Sequence, residues 1–327
     1  MVIPPPAPDT CTQVGPDCPV EGTILGYYPD IGANAAYAGF FALFAIINLG
    51  LGVRYKTWTY MYRLQVAMSL GCVGEAVGYA GRIIMWNNPF DTTGFQMQIC
   101  CLIISPAFIS AAIYLTLKYL VISFGESWSR LRPARYTHIF IAGDLLSLVL
   151  QGAGGGIAAT ADFGSEAQDN GTNIMIAGVV WQVFTLTIFG FLLVEYAIRT
   201  YKHREELSDE ARTLLQQKSF RCFLFAIALA FVTIFARCVY RIPELAFGWR
   251  SELMREEVDF IVLEGAMIVT AVLALTVFHP GYCFPALAKA GDNSKSVRGK
   301  SIYDDSDVEM MSARGPSQQG QAQAKDF

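Results

Sequence analysis

Residues 219–241 read SFRCFLFAIALAFVTIFARCVYR. Between Arg221 and Arg237 no residue carries a charge, and the run is apolar on every face of a helix. It lacks the period-two alternation of a barrel strand. A helix crosses the hydrocarbon core with about 20 mostly apolar residues, so this stretch predicts a membrane span. Six others have the same character, roughly 33–53, 59–85, 97–122, 137–160, 173–195 and 258–279. The fold class that follows is all-α, a polytopic seven-transmembrane-helix bundle. Residues 1–32 form an extracellular N-terminal tail, 33–285 the transmembrane domain, and 286–327, rich in Ser, Gln, Gly and charge, a disordered cytosolic tail.

Composition agrees. Of 327 residues 53% are hydrophobic and 16% charged, against about 25% charged in an average soluble domain. A net charge of -4 supplies no basic field for nucleic acid. Lys and Arg crowd one set of connections: Arg54 and Lys56, then Arg130, Arg132 and Arg135, then five between Arg199 and Lys218, then the tail. The opposite set holds only Arg250 and Arg255. The excess marks the cytosolic side, which predicts an outer N-terminus and an inner C-terminus. The one glycosylation sequon, Asn170-Gly171-Thr172, then falls in an outer connection. Cys11 and Cys18 share the oxidising side; they either pair, with each other or with Cys100 or Cys101, or remain free thiols.

An ionisable group inside a bilayer costs about 2.5–3.5 kcal/mol on insertion scales, so each calls for an explanation. The second span contains GEAVGYAGR (74–82), with Glu75 and Arg82 seven residues apart on one face and Tyr79 between them. These two charges either neutralise each other or belong to a polar path. The fourth span carries Asp144 and Gln151, then Gly152 and the run Gly154-Gly155-Gly156, which permits either close helix packing or an unwound turn. Arg237 and Arg241 stand one turn apart near the end of the sixth span, with Glu244 past Pro243. Glu264 lies about two turns inside the seventh. By helix direction Arg82, Arg237, Arg241, Glu244, Glu257 and Glu264 share the outer half, with Glu75 nearer the midplane. Charges of both signs at one depth either lock the helices together or line a polar cavity. Gln98, Tyr114 and Gln182 are further groups able to bond across helices, and Pro106 should kink the third.

The motifs GEAVGYAGR, Gln98…Pro106-Ala107-Phe108…Ala111…Tyr114, GDLLSLVLQGAGGG, Gly178…Gln182, Arg237-x-x-Tyr240-Arg241-x-x-Glu244…Gly248 and His279-Pro280-Gly281 occur in order. Together they resemble the fungal resistance-to-aminocholesterol family, the RTA-like lipid-translocating exporters, from about the first span to Gly281. The resemblance implies a fungal seven-helix protein of the plasma membrane. It also implies membrane lipids as partners: sphingoid long-chain bases, with phospholipids and sterol-like amphiphiles behind them, and resistance to toxic amphiphiles. Porphyrin transport belongs to a relative. Two positions depart from the pattern: Glu264 where Asp is usual, and Ile261 where an aromatic is usual.

On this reading Glu75, Asp144 and Glu264, with Gln151, receive an ammonium headgroup, Arg82, Arg237 and Arg241 tune their charge, and the glycine run lets the fourth helix move. No cofactor, metal or enzymatic activity is expected, and no ATP-binding motif is present. The main rival is a seven-helix lipid sensor or receptor that regulates membrane asymmetry without carrying substrate. The third span ends LTLKYLVISF, without the acidic-Arg-aromatic triplet of the commonest receptor class. A retinal protein is excluded by the absence of Lys from the seventh span. The three histidines, His138, His203 and His279, show no spacing that gathers a metal site.

Overall fold

The computed structural model describes residues 11–54, 59–124, 129–130, 133–161, 164–207, 209–247 and 251–283; the expected tail, 286–327, lies outside them. The long helices are α1 (Ile31–Arg54), α2 (Thr59–Asn87), α3 (Thr92–Phe124), α4 (Pro133–Thr160) and α5 (Glu166–Lys202). A short α6 (Asp209–Gln216) precedes α7 (Lys218–Ala246), and α8 (Glu252–Arg255) is a single turn. Next comes α9 (Glu257–Val277), whose residues Phe260–Ala266 form a π-helical segment. In lipid every backbone group must be satisfied within the protein, which a helix achieves by itself.

Six of these helices, α1, α3, α4, α5, α7 and α9, are long and apolar enough to cross a membrane. The seventh expected span, α2, is as long as α7 at 29 residues. Glu75, Arg82 and the glycines between Gly71 and Gly81 make it less apolar than the other six. Helix boundaries also differ from the sequence reading. Helix α5 starts seven residues early, where the Ser165 hydroxyl caps it by accepting from the Gln168 N–H. Helix α7 continues through Pro243 to Ala246, so Glu244 is part of the helix that bears Arg241.

Neighbours follow chain order. Helix α2 packs on α1 and α3, α4 on α3 and α5, and α7 on α5 and α9; α1 against α9 closes the ring. Helix α3 also touches α7 and is the most enclosed, with 61% of its most apolar window buried against 22% for α1. The distribution is inverted relative to a water-soluble domain. Ile46, Phe191 and Phe225 are exposed, whereas Glu75, Arg82, Arg237, Glu264 and His279 are buried. Small residues bring the helices together: a Cβ on Gly81 of α2 would lie 2.6 Å from the Gly94 carbonyl of α3.

Residues 11–30 fold against the end of the bundle where α2 gives way to α3. Cys11 and Cys18 form a disulfide, with reciprocal backbone bonds between Gly15 and Cys18. The Asn88 amide donates to the Thr12 carbonyl at 2.9 Å, and Arg255 donates to the Glu21 carbonyl at 2.9 Å. Leu25 joins Met85, Phe95 and Met254 in an apolar cluster. The N-terminal segment is thus anchored to the bundle through residues such as Leu25, and the two thiols are paired and not free.

Candidate functional site

Most of the buried charges gather on α2, α7 and α9, in two sets of ion pairs. Arg237 of α7 donates to Glu264 of α9 and to the Leu102 carbonyl of α3. Arg241, one turn further, bonds Glu244 at 2.7 Å and stands 4.0 Å from Glu264. Arg82 of α2 reaches Glu257 at 3.2 Å and the Tyr27 hydroxyl at 3.0 Å, with its guanidinium 3.9 Å from the centre of the Phe260 ring. The Asp30 N–H also donates to Glu257, at 2.7 Å, so the N-terminal segment is tied to that ion pair. Burial pushes the Tyr27 phenol above its ordinary value, partly offset by Arg82.

Glu75 and Arg82 do not neutralise each other. Seven residues along a helix is a rise of about 10 Å, and Arg82 is taken by Glu257 instead. Glu75 lies in the field of Arg237, Arg241 and Glu264, is fully buried, and has no hydrogen-bond partner on either carboxylate oxygen among the described residues. Tyr79, one turn on, packs between Tyr37, Phe41 and Phe260.

Two local features position these groups. Pro106 lies inside α3, which continues through it. A proline has no N–H to give to the carbonyl four residues back, here Leu102, and Arg237 donates to that carbonyl. The proline therefore serves as more than the expected kink: it leaves a backbone acceptor for a buried arginine. The second feature is the π-helical segment of α9. An i→i+5 turn accommodates an extra residue and re-aims the side chains that follow it; Glu264 and Gly265 lie within it. Gly265 leaves the space that Tyr79 uses, because a Cβ there would lie 2.9 Å from the Tyr79 hydroxyl.

The remaining expected site residues form separate clusters. Asp144 is buried beside the Tyr114 hydroxyl and Cys238. Gln151 donates to the Gln182 side chain at 3.1 Å, tying α4 to α5. Helix α4 is unbroken through Gly154, Gly155 and Gly156, so an unwound turn does not describe this run, and close packing describes Gly154. A Cβ on Gly154 would meet the Gly171 carbonyl and the Met175 nitrogen at 2.5 Å, whereas Gly152 and Gly156 face open space. Asn170 is exposed but lies within α5, not in a loop; Thr172 of its sequon donates to the Gln168 carbonyl at 2.9 Å.

Histidine does not gather a metal site: no group of three His, Cys, Asp or Glu among the described residues is placed to hold an ion. His279 is buried at the other end of the bundle, where its ring meets the Gln65 amide and accepts from the Gly281 N–H at 2.9 Å. Tyr27, Phe260 and Gln65 were not singled out from sequence. Each is an ordinary residue type whose partner comes from a distant segment.

The family model described as RTA1 like protein matches residues 68–287. The sphingoid long-chain base transporter RSB1 of Saccharomyces cerevisiae is 33% identical over 242 residues, covering 65% of this chain and 63% of that protein. Protoporphyrin uptake protein 1 of the same yeast is 29% identical over 211 residues, 63% of this chain and 65% of its own. The lipid-translocating exporter-like protein RTA1 of Leptosphaeria maculans is 25% identical over 290 residues, 82% of this chain and 53% of its own. The chain thus spans less than two thirds of the length of each. No solved structure matches it.

Proposed function

This chain belongs to the RTA1-like family of membrane proteins, and from that premise we propose that it translocates single-chain lipid amphiphiles, sphingoid long-chain bases foremost, across the bilayer. In this reading α2 is the seventh span, the N-terminus is outside, 33–285 is the transport domain and 286–327 a cytosolic tail. The membrane is the plasma membrane, and the chemistry is transport without catalysis. The Lys and Arg asymmetry supports the orientation. Similarity to the yeast sphingoid long-chain base transporter supports the substrate class.

The observation that carries the reading is Glu75. A buried carboxylate without a partner is expensive, yet Glu75 lies at full burial beside a network whose other acids, Glu244, Glu257 and Glu264, each hold an arginine. An ammonium headgroup is a partner that arrives and leaves. When it binds Glu75, Arg237 and Glu264 remain paired and the local charge balances. Asp144 and the Gln151–Gln182 pair offer a second polar station, and Arg82 holds the N-terminal segment over the outer end.

The test is purified protein in sealed liposomes, with a fluorescent long-chain base and a fluorescent phospholipid followed in parallel. Protein-dependent movement of the base that is lost in Glu75→Gln is the expected result. Well-folded protein that moves neither lipid overturns the reading and selects the lipid sensor.

A further inference from the structure

Between α3 and α4, in the same half of the bundle as the charge network, runs a groove of about 400 Å³. Its walls are apolar, from Phe95, Ile99, Ile103 and Leu148, and its floor is Gly152, Gly155 and Gly156. Ile104, at its edge, is exposed on the outside of the bundle. Phe95, Ile99 and Ile103 also line a second, smaller chamber of about 20 Å³, room for about one water-sized group.

That chamber is mostly apolar, with a few polar side chains set into its wall. Gln98 lines it, is 5% exposed, and its Oε1 has no hydrogen-bond partner among the described residues. Arg82 and Arg241 line it too, and after their ion pairs each keeps an Nε–H without a partner, as does Nη1 of Arg82. The residues that line this space thus hold one acceptor and three donors without partners among the described residues. A hydroxyl satisfies both, since it donates and accepts, whereas an ammonium only donates.

We propose that the groove between α3 and α4 binds the hydrocarbon chain of a single-chain amphiphile from the outer half of the bilayer, and that Gln98 accepts a hydrogen bond from a hydroxyl of its headgroup. The inference rests on the translocator reading and adds to it an entry site and a selectivity: hydroxylated amphiphiles over plain ones. Phe95, Ile99 and Ile103 form the wall that groove and chamber share. The ammonium, one or two carbons from the hydroxyl, is then free to proceed to the acids of the network.

The full chain in lipid bicelles is labelled with a photoreactive long-chain base, in competition with either unlabelled base or an alkylamine of equal chain length without hydroxyls. The wild type should prefer the base by about five- to tenfold, the worth of one net hydrogen bond. Gln98→Leu should abolish the preference; because it is a ratio measured on one preparation, partial unfolding cancels. Gly152→Leu and Gly156→Leu add side chains where a Cβ meets nothing within 4 Å, so they fill the groove without disturbing α5 and should weaken both probes. Gly39→Leu, equally open but on α1, should weaken neither.

A preference that survives Gln98→Leu, or labelling that survives Gly152→Leu, overturns the site. Liposome movement of the base measured on the same proteins separates the two ideas. Movement unaffected by all three variants leaves a translocator without this site. Labelling with the predicted pattern but without movement leaves the site and removes the translocator.

Discussion

The coupling between Pro106 and Arg237 can be measured as a free energy. Two substitutions are needed, Pro106→Ala and Arg237→Met, singly and together. Arg237→Met leaves the buried Glu264 without its hydrogen-bonding arginine and the Leu102 carbonyl without its donor. Removing one partner of a buried pair costs about 3–5 kcal/mol. Pro106→Ala restores an N–H four residues after Leu102, and Ala is a better helix former than Pro by about 3 kcal/mol. In the wild type that gain is opposed, because the carbonyl turns back into the helix and away from Arg237. In the Arg237→Met background nothing opposes it. The second substitution should therefore stabilise the Arg237→Met protein more than the wild type, by about 1.5 kcal/mol or more, the worth of a hydrogen bond to a charged group. The assay is a double-mutant cycle of reversible denaturant unfolding in mixed micelles. Additivity within about 0.5 kcal/mol, the scatter of independent sites, would refute the claim that the proline exists to free this acceptor.

Gly154→Leu should cost at least about 1–3 kcal/mol, the usual penalty of overpacking, since its Cβ meets backbone of α5 at 2.5 Å; thermal unfolding that matches Gly156→Leu would contradict the packing. Reducing the Cys11–Cys18 bond, or Cys18→Ser, removes about 2 kcal/mol of loop closure. Chymotryptic cutting at Tyr27 and Tyr28 should then rise severalfold while the helical circular dichroism holds; unchanged cutting would show that the N-terminal segment holds its place without its disulfide. Tyr27→Phe deletes the hydroxyl that accepts from Arg82 and should lower stability by about 1 kcal/mol at neutral pH. Because burial raises the Tyr27 phenol in the folded state, its contribution is complete below the unfolded value of about 10 and is lost as pH rises through the folded one. The difference between wild type and variant in unfolding titrations should shrink there, and a difference that grows with pH would reverse the assignment.

Most of the architecture was legible from composition and period. Runs such as 219–241 have one stable fate in lipid, because a helix alone satisfies its backbone there, and family motifs such as RxxYRxxE lie in order along the chain. Helix ends were less legible. The polar starts of α3 and α5 continue the helix past the apolar window, and only capping and packing set those limits. Pro243 reads as a terminator, yet α7 carries it together with Glu244.

The charged residues themselves were legible because charge is costly in a bilayer, and their shared depth followed from helix direction. Their pairing was not. Sequence separation alone joins Glu75 to Arg82, whereas in the bundle side chains that reach across give Arg82 to Glu257 and leave Glu75 in the field of Arg237. Nor could the chain announce that Pro106 serves an arginine on another helix, that a π turn aims Glu264, or that Gln98 lines a chamber. A hydrophobic pattern determines which segments enter the membrane and roughly how deep each side chain lies. Which side chains then meet depends on helix rotation and neighbour order, and these are properties of the assembled bundle.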